Sequence, residues 1–276
     1  MKKLKGNIYI ENRFSGVSVG AVLLSRGTVL VDAPLKPEDG RAWLSALSDA
    51  GAHPRRILVN LDSHPDRSLG AQTLESQVVT QEKSAEHFRN RAAIFKAVRQ
   101  ESGADWEKLE GLGGLRWAMP SLVFSDTMQL HFGNRELRLE SRQGASPGAS
   151  WLVAPDSKIL FVGDAVTRKQ PPFLALGDIP TWVESLDVLL GKEYKDYRII
   201  SGRGGQVKLE DVRTQRRFLK DVESRLERLA KRKANVSEID KLIPKLMLKY
   251  KFPAKLRSAH TQRLSFGLKN YYQSQY

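Results

Sequence analysis

A polar loop after a predicted buried strand at residues 56–61 holds the densest group of reactive side chains in the chain: Asp62, His64, Asp66 and Arg67. An imidazole and carboxylates this close in sequence can bind a metal ion or transfer a proton. The 276 residues include no cysteine, which excludes thiolate nucleophiles, disulfides and cysteine-bound metals. Any metal in this protein must therefore be held by His and carboxylate ligands.

Four further segments accompany this loop along the chain: Gly20–Asp32, Gly144–Ser150, Leu160–Ala165 and Ile199–Gly204. Together with the loop they resemble, in order, five motifs of the metallo-β-lactamase superfamily. These motifs are an opening hairpin ending in Asp, the H-x-H-x-D-H loop, the G-H-T-x-G-x-S loop, the L-F-x-G-D strand end and the closing P-G-H-G. The resemblance extends over roughly residues 7–205 and implies an α/β fold, a four-layer αββα sandwich.

The metal ligands that this resemblance implies are mostly altered. Of the family's seven ligand positions, three are retained as His64, Asp66 and Asp164. The four remaining positions, all His in the family, are Asp62, Arg67, Ala145 and Arg203. A guanidinium cannot ligate zinc, because it stays protonated and has no lone pair to give. The resemblance therefore implies a degenerate metal site.

The leading hypothesis follows from the two arginines. We expect Arg67 and Arg203 to stand beside Asp66 and Asp164 in the second of the family's two metal sites. Two guanidiniums can neutralise two carboxylates through bidentate hydrogen bonds, and they repel a dication. The pattern predicts a protein with no metal cofactor that has lost zinc-dependent hydrolysis. Arg67 and Arg203 are then either an internal replacement for zinc or the binding residues for an anionic small molecule in the old cleft.

A second hypothesis retains a metal. Asp62, His64 and Asp164 remain as candidate ligands for one zinc or other divalent ion, which would activate water for hydrolysis. Asp66 is the candidate catalytic residue of such an enzyme. The neighbouring arginine charges are expected to weaken the affinity of this site for a cation.

A third hypothesis rests on charge. The chain has 45 Lys and Arg against 31 Asp and Glu, a formal net charge of +14. Residues 202–276 contain 19 of these basic and 7 of these acidic side chains, so most of the excess lies there. Pairs at i, i+4 spacing indicate that part of it is a solvated helix surface. Interleaved Tyr and Phe residues also make this region a candidate for binding nucleic acid or another polyanion.

The composition is that of a globular protein, with 41% hydrophobic and 28% charged residues. No apolar run approaches the roughly 20 residues that cross a bilayer. No apolar segment follows Met1–Lys5 to complete a signal peptide. We therefore expect no transmembrane segment and a cytoplasmic location.

Hydrophobic periodicity predicts the elements that must position the reactive residues. Strand hairpins are predicted over 17–31 and 128–139, and helices over 37–51, 84–99, 181–190 and 210–233. Further helices are predicted over 236–250 and 253–272, and the Gly-rich residues 102–119 are expected to form a surface excursion. The predicted organisation is a metallo-β-lactamase-like domain at 1–206 and a basic helical C-terminal region at 207–276.

Overall fold

The first of two β-sheets contains the opening hairpin and the strand before the reactive loop. The computed structural model describes residues 1–98 and 100–276. Seven of its strands form this sheet in sequence order. They are β1 (Lys2–Lys3), β2 (Ile8–Glu11), β3 (Val19–Leu24), β4 (Gly27–Val31), β5 (Arg56–Val59), β6 (Gln77–Gln81) and β7 (Leu122–Phe124). Strands β1 to β4 pair antiparallel, whereas β4 to β7 run parallel to one another.

The second sheet has six strands in the spatial order β13-β12-β11-β10-β9-β8. They are β8 (Thr127–Phe132), β9 (Arg135–Ser141), β10 (Ser150–Ala154), β11 (Ile159–Phe161), β12 (Arg198–Ser201) and β13 (Gly205–Val207). Only the β11/β12 pair among these described strands is parallel. The predicted hairpins over 17–31 and 128–139 are both present, as β3/β4 and β8/β9.

The apolar core between the two sheets joins residues of both. Strands β3 and β4 are buried along their whole length, which explains why they read as continuous apolar runs rather than alternating ones. Gly20 of β3 lies opposite the ring of Phe161 in β11, which occupies the space that a Cβ would need. The absence of a side chain there lets the two sheets approach closely.

Helices cover the outer faces of both sheets. The helices of the described chain, not all of them on these faces, are α1 (Pro37–Asp49), α2 (Pro65–Ser68), α3 (Glu82–Arg89), α4 (Ile179–Leu190), α5 (Leu209–Lys231), α6 (Ile243–Met247) and α7 (Arg257–Gln275). Trp43 and Leu47 of α1 pack on the first sheet, and α4 to α7 share one apolar cluster with the second. The layers follow the order helix, sheet, sheet, helix, which confirms the predicted α/β sandwich.

The segment after β6 differs from its prediction. The helix predicted over 84–99 is wrong in length: α3 ends at Arg89, and its N-cap is Gln81, whose side chain accepts from the Lys83 N–H at 2.7 Å. Arg99 lies outside the described residues. The chain leaves the helix because Phe95 packs edge-on against Trp106 and Trp117, at ring-centroid distances of 5.1 and 5.6 Å.

Residues 102–119 also differ from the expected surface excursion. They fold back and contribute Ala104, Trp106, Leu112 and Trp117, all buried, to a small apolar cluster shared with residues of other segments such as Leu69 and Phe88. Aromatic burial of this kind is a large local stabilisation, and it outweighs the turn-forming tendency of the glycines. The segment is therefore a packed wall beside the reactive loop.

The C-terminal helices are shorter than predicted in one place. The helix predicted over 236–250 is a 3₁₀ turn at Val236–Lys241 followed by the short α6. Pro244 lies in the first turn of α6, where it lacks the N–H that would continue the preceding turn. The division at residue 206 stays a prediction. Within the described residues, none of the helices carries an apolar stretch long enough to cross a lipid bilayer.

Candidate functional site

Reactive side chains lie at the carboxyl ends of strands from both sheets. Asp32 directly follows β4, and Asp164 and Arg203 lie two or three residues beyond the ends of β11 and β12. Asp62 is at a similar distance beyond β5, and Arg67 belongs to α2 in the same loop. Because β4/β5 and β11/β12 are parallel pairs, these ends meet at one edge of the sandwich.

Arg67 is fully buried, and its guanidinium contacts three carboxylates. Its Nη1 donates to Asp32 Oδ2 at 3.3 Å, its Nε lies 3.0 Å from Asp62 Oδ1, and its Nη2 is ion-paired with Asp164. Burial alone would lower the pKa of Arg67, but the three carboxylates raise it well above its ordinary value. A Cβ at position 202 would overlap Nη1, so Gly202 leaves the space that the guanidinium occupies.

Arg203 is buried beside it and binds a second set of acceptors. Its Nε donates to both carboxylate oxygens of Asp164 at 3.1 Å. Its Nη1 donates to Asp66 Oδ2 at 2.9 Å and to the Gly16 carbonyl at 2.8 Å. The guanidinium carbon lies 4.4 Å from the centroid of the Phe173 ring, a cation–π contact. Arg203 is therefore fixed by contacts on several sides.

Asp164, the bridging position of the family motif, contacts both guanidiniums. Burial alone would raise the pKa of Asp164, but Arg203 and Arg67 together lower it far below its ordinary value. The expectation that both arginines stand beside Asp66 is wrong for Arg67, which pairs with Asp62 instead. Arg67 also donates to the buried Asp32 on this side of Asp164. Arg67 thus pairs with Asp62, Arg203 pairs with Asp66, and both contact Asp164.

Asp66, the candidate catalytic residue, is completely buried and has both oxygens in use. Oδ1 accepts from the Trp106 N–H at 2.8 Å, and Oδ2 accepts from the Asp105 N–H at 3.1 Å as well as from Arg203. Burial alone would raise the pKa of Asp66, but Arg203 and these N–H donors lower it. A low pKa with every strong acceptor position occupied suits a structural anchor and not a general base.

His64 is held in one tautomer by the turn that it caps. Its Nδ1 accepts from the Asp66 N–H at 3.1 Å at the start of α2, and Arg203 Nη2 lies 3.4 Å from the same atom. Burial lowers the pKa of His64 to about 4 against the opposing pull of the Asp66 charge. The neutral ring therefore carries its proton on Nε2, and it packs against Phe173 with centroids 4.6 Å apart.

Asp32 and Asp62 are held by the loop as well as by Arg67. Asp32 adopts the left-handed backbone region, with φ of 57°, and its Oδ1 accepts from the Leu61 N–H at 3.0 Å. Its complete burial raises its pKa to about 7, although the Arg67 charge opposes the rise. Asp62 Oδ1 accepts from the His64 N–H at 2.9 Å.

These residues do not fit a zinc ion or another divalent metal. Asp62 and Asp164 are already paired with guanidiniums, and the lone pair of His64 Nδ1 is bound by N–H donors. Ligation through His64 Nε2 would require the other tautomer, whose Nδ1–H would face the Asp66 N–H and Arg203. Within residues 1–98 and 100–276, no group of three or more His and carboxylate side chains is placed to hold a metal ion.

A cavity of about 440 Å³ lies beside the arginine–carboxylate cluster. The reactive loop contributes Asp62 and His64 to its wall, and the other charged lining residues are Asp164, Arg91, Lys96 and Arg263. The segment after α3 and the helix α7 form other walls. The C-terminal region, expected to pack on or extend from the first domain, contributes residues of α7 to this cleft.

Two charged residues of the site were missed from the sequence: Asp105 and Arg263. Arg263 of α7 is 1% exposed and donates to Gln170 Oε1 at 2.6 Å and to the Gly103 carbonyl at 3.0 Å. Its guanidinium lies 4.0 Å from the Phe173 centroid. A sequence signal exists in Gly267, one turn further along the same helix face, because a glycine there allows close packing.

The basic C-terminal region directs its aromatic residues inward. Tyr271 and Tyr272 are buried in the core of the second sheet, and Phe266 lines the cavity. Several of the cations are in ion pairs, including Arg216 with Asp187. The interleaved aromatic residues are thus used mainly for packing.

Known proteins match this chain in fold and not in sequence. No protein-family model matches it, and a search of curated proteins finds no significant match. The metallo-beta-lactamase from Pontibacter korlensis is similar with a TM-score of 0.63 and 17% identity, over 79% of this chain and 97% of that one. The DIM-1 metallo-beta-lactamase gives 0.60 and 18%, over 80% and 96%.

The similarity to one larger structure also includes the C-terminal helices. The stereoselective inverting sec-alkylsulfatase Pisa1 from Pseudomonas sp. aligns over 98% of this chain, with a TM-score of 0.66 and 16% identity. This chain spans 49% of that protein. Together with the two sheets and their helices, these similarities confirm that the chain has the metallo-β-lactamase fold.

Proposed function

We propose that this protein retains the metallo-β-lactamase fold without its metal chemistry, and that its cleft binds an anionic ligand. Arg67 and Arg203 take the places of the two metal ions and act as internal structural cations. The observation that carries the proposal is the contact of Asp164 with both guanidiniums.

The charge balance supports this assignment. Four buried carboxylates, Asp32, Asp62, Asp66 and Asp164, surround the two arginines. A buried carboxylate needs a cation or several donors, and the bonds of the two guanidiniums and of the loop N–H groups meet that need. A zinc ion would have to displace a fully buried guanidinium from its carboxylates, at a cost of several kcal/mol.

Thermal unfolding with added zinc and with a chelator tests the loss of the metal. A ligand that binds only the folded state raises the unfolding temperature with its concentration. We expect equal unfolding temperatures with zinc, with chelator and with neither. A rise of several degrees with zinc that the chelator reverses would contradict the proposal.

The mononuclear metallohydrolase with Asp62, His64 and Asp164 as ligands has its own test. On that hypothesis, His64→Ala abolishes metal uptake together with ester or phosphodiester hydrolysis. An activity that is unchanged in His64→Ala removes this alternative.

Nucleic-acid binding through residues 207–276 stays a prediction of the charge distribution. Fluorescence anisotropy with a labelled oligonucleotide at low and at physiological salt tests it, since phosphate contacts weaken steeply with salt. Absence of binding at low salt would remove this alternative.

A further inference from the structure

The cavity beside the arginine–carboxylate cluster has apolar walls. Its aromatic and aliphatic lining residues include Phe95, Trp106, Trp117, Phe173, Leu174 and Phe266. Three more apolar lining residues, Ile94, Val98 and Leu176, are 44%, 67% and 56% exposed. A cavity of this size lined mainly by apolar groups is typical of a site for a small molecule. Exposed apolar side chains that line it indicate that part of the ligand is apolar.

Arg91 and Lys96 line this cavity and take no part in the site cluster; Lys96 is exposed, whereas Arg91 is partly buried. Its guanidinium lies 4.7 Å from the Trp117 centroid and 5.5 Å from that of Phe88. Its Nη1 is buried and has no hydrogen-bond partner among the described residues. Burial lowers the pKa of Arg91, with the Asp62 charge opposing, yet an arginine remains protonated at neutral pH. An unpartnered buried guanidinium N–H is costly unless a ligand or water accepts from it.

Two further polar groups of the cavity, Ser146 and His64, can donate to a ligand. Ser146 Oγ is buried and has no hydrogen-bond partner in the described chain. His64 carries its available proton on Nε2. The carboxylates that line the same cavity, Asp62 and Asp164, are compensated by Arg67 and Arg203. The unused hydrogen-bonding capacity of the cavity therefore favours an acceptor with negative charge.

We propose that this cavity binds an amphipathic monoanion, with its carboxylate or sulfate head on Arg91 and its apolar tail among the aromatic residues. This inference rests on the proposed function, because it requires a cleft from which metal chemistry is absent. It adds the class of ligand and assigns the contact with the anionic head to Arg91. The guanidinium groups of Arg67 and Arg203 are already bound to carboxylates of the protein itself.

Four small molecules test the contributions of the anionic head and of the apolar tail to binding separately. Decanoate carries both, decanol lacks the charge, decylammonium reverses it and acetate lacks the tail. Isothermal titration below the micelle concentration measures the affinity of the full-length protein for each, and Trp106 and Trp117 provide a fluorescence signal. We expect decanoate to bind roughly tenfold or more tightly than each of the others. Tighter binding of decylammonium, or equal binding of decanol, would overturn the proposal.

Two matched variants assign the anion contact. Arg91→Gln removes the charge inside the cavity, and Arg89→Gln removes an exposed charge at the end of α3. We expect Arg91→Gln to lower the affinity for decanoate about tenfold and to leave decanol binding unchanged. Arg89→Gln should change neither. Equal losses in both variants, or unchanged decanoate affinity in a folded Arg91→Gln protein, would contradict the assignment.

The same samples distinguish failure of this inference from failure of the proposed function. If decanoate does not bind and zinc has no effect on unfolding, the ligand class is wrong while the metal-free site stands. If decanoate binds only when zinc is present, the metal-free site and the inference built on it both fall.

Discussion

Arg67 and Arg217 are the same side chain in opposite surroundings. Arg67 is fully buried and contacts three carboxylates from three loops. Arg217 lies on α5, is 65% exposed and pairs with Glu210 at 2.8 Å, which is itself 62% exposed. Both side chains of the ion pair in α5 remain largely hydrated when they pair. The side chains around Arg67 are almost completely buried, so bulk solvent compensates little for a contact that is lost.

This difference shows that the +14 net charge is a poor guide to the charges that matter. Most of the excess lies in residues 202–276, where exposed pairs are screened by solvent and salt. The arginines that define the site add only two charges. They matter because each is a buried charge held among carboxylates, and an unpaired buried charge is expensive.

Removal of the Arg67 guanidinium should have the largest effect. Arg67→Met keeps much of the side-chain volume but leaves Asp32, Asp62 and Asp164 with reduced compensation. We expect a loss of about 3–5 kcal/mol in the free energy of unfolding, measured by urea titration. The matched control is Arg217→Met. A loss no greater than that of the control would show that Arg67 does not hold the cluster together.

Removal of Arg203 should have a somewhat smaller effect. After Arg203→Met, Asp66 still accepts from two backbone N–H groups, and Asp164 keeps its contact with Arg67. We expect a loss of about 3 kcal/mol in the urea titration. The variant should also raise the pKa of Asp66, because the charge that holds it down is gone. Stability equal to that of the unmodified protein would argue that the contacts of Arg203 are replaceable.

Asp32 gives the cluster a pH dependence. Its folded pKa of about 7 exceeds the ordinary value of 3.8, so the folded chain retains a proton that the unfolded chain releases. The contribution of Asp32 to stability is therefore present below about pH 4 and is lost as the pH rises to 7. Asp32→Asn should thus gain stability relative to the unmodified protein between pH 5 and pH 8, by about 2 kcal/mol.

The effect of Asp32→Asn is read as a difference at each pH. His64 and His260, whose pKa values are lowered to about 4 by burial, act in the opposite direction in both proteins and cancel. Asp49→Asn, an exposed change at the end of α1, serves as the control. A difference that stays constant over this pH range would contradict the raised pKa.

The exposed pair on α5 should have the smallest effect. Arg217→Gln and Glu210→Gln remove partners that are both well solvated, and exposed pairs of this kind contribute little. We expect unfolding midpoints within measurement error of the unmodified protein. A clearly lower unfolding midpoint in either variant would contradict the claim that buried arginines stabilise this protein more than exposed ones.

The sequence predicted the sandwich well because its signals are local. The hairpin at 17–31 shows an apolar run and a turn, and the five motifs lie in the right order along the chain. It predicted that Arg67 and Arg203 face carboxylates for the same reason, since their positions are defined by the motifs. The sequence did not predict the boundaries of α3 or the course of residues 102–119, because both depend on aromatic packing between residues that are distant in the chain.

The pairing within the site could not be read from the motifs alone. Ligand positions of the family indicate which residues converge, but not which guanidinium contacts which carboxylate. The contact of Arg67 with Asp32 and Asp62, and not with Asp66, became visible only in the structure. The cavity needed tertiary structure as well, since Arg91, Phe173 and α7 come from three separate parts of the chain.

The metal content of the purified protein tests the central claim most directly. The protein should be produced in zinc-, manganese- and iron-supplemented medium, purified without chelators and measured by elemental mass spectrometry. The proposal that Arg67 and Arg203 take the places of the two metal ions predicts less than about a tenth of an equivalent of any of these metals per chain. One or two equivalents of tightly bound metal would contradict the account.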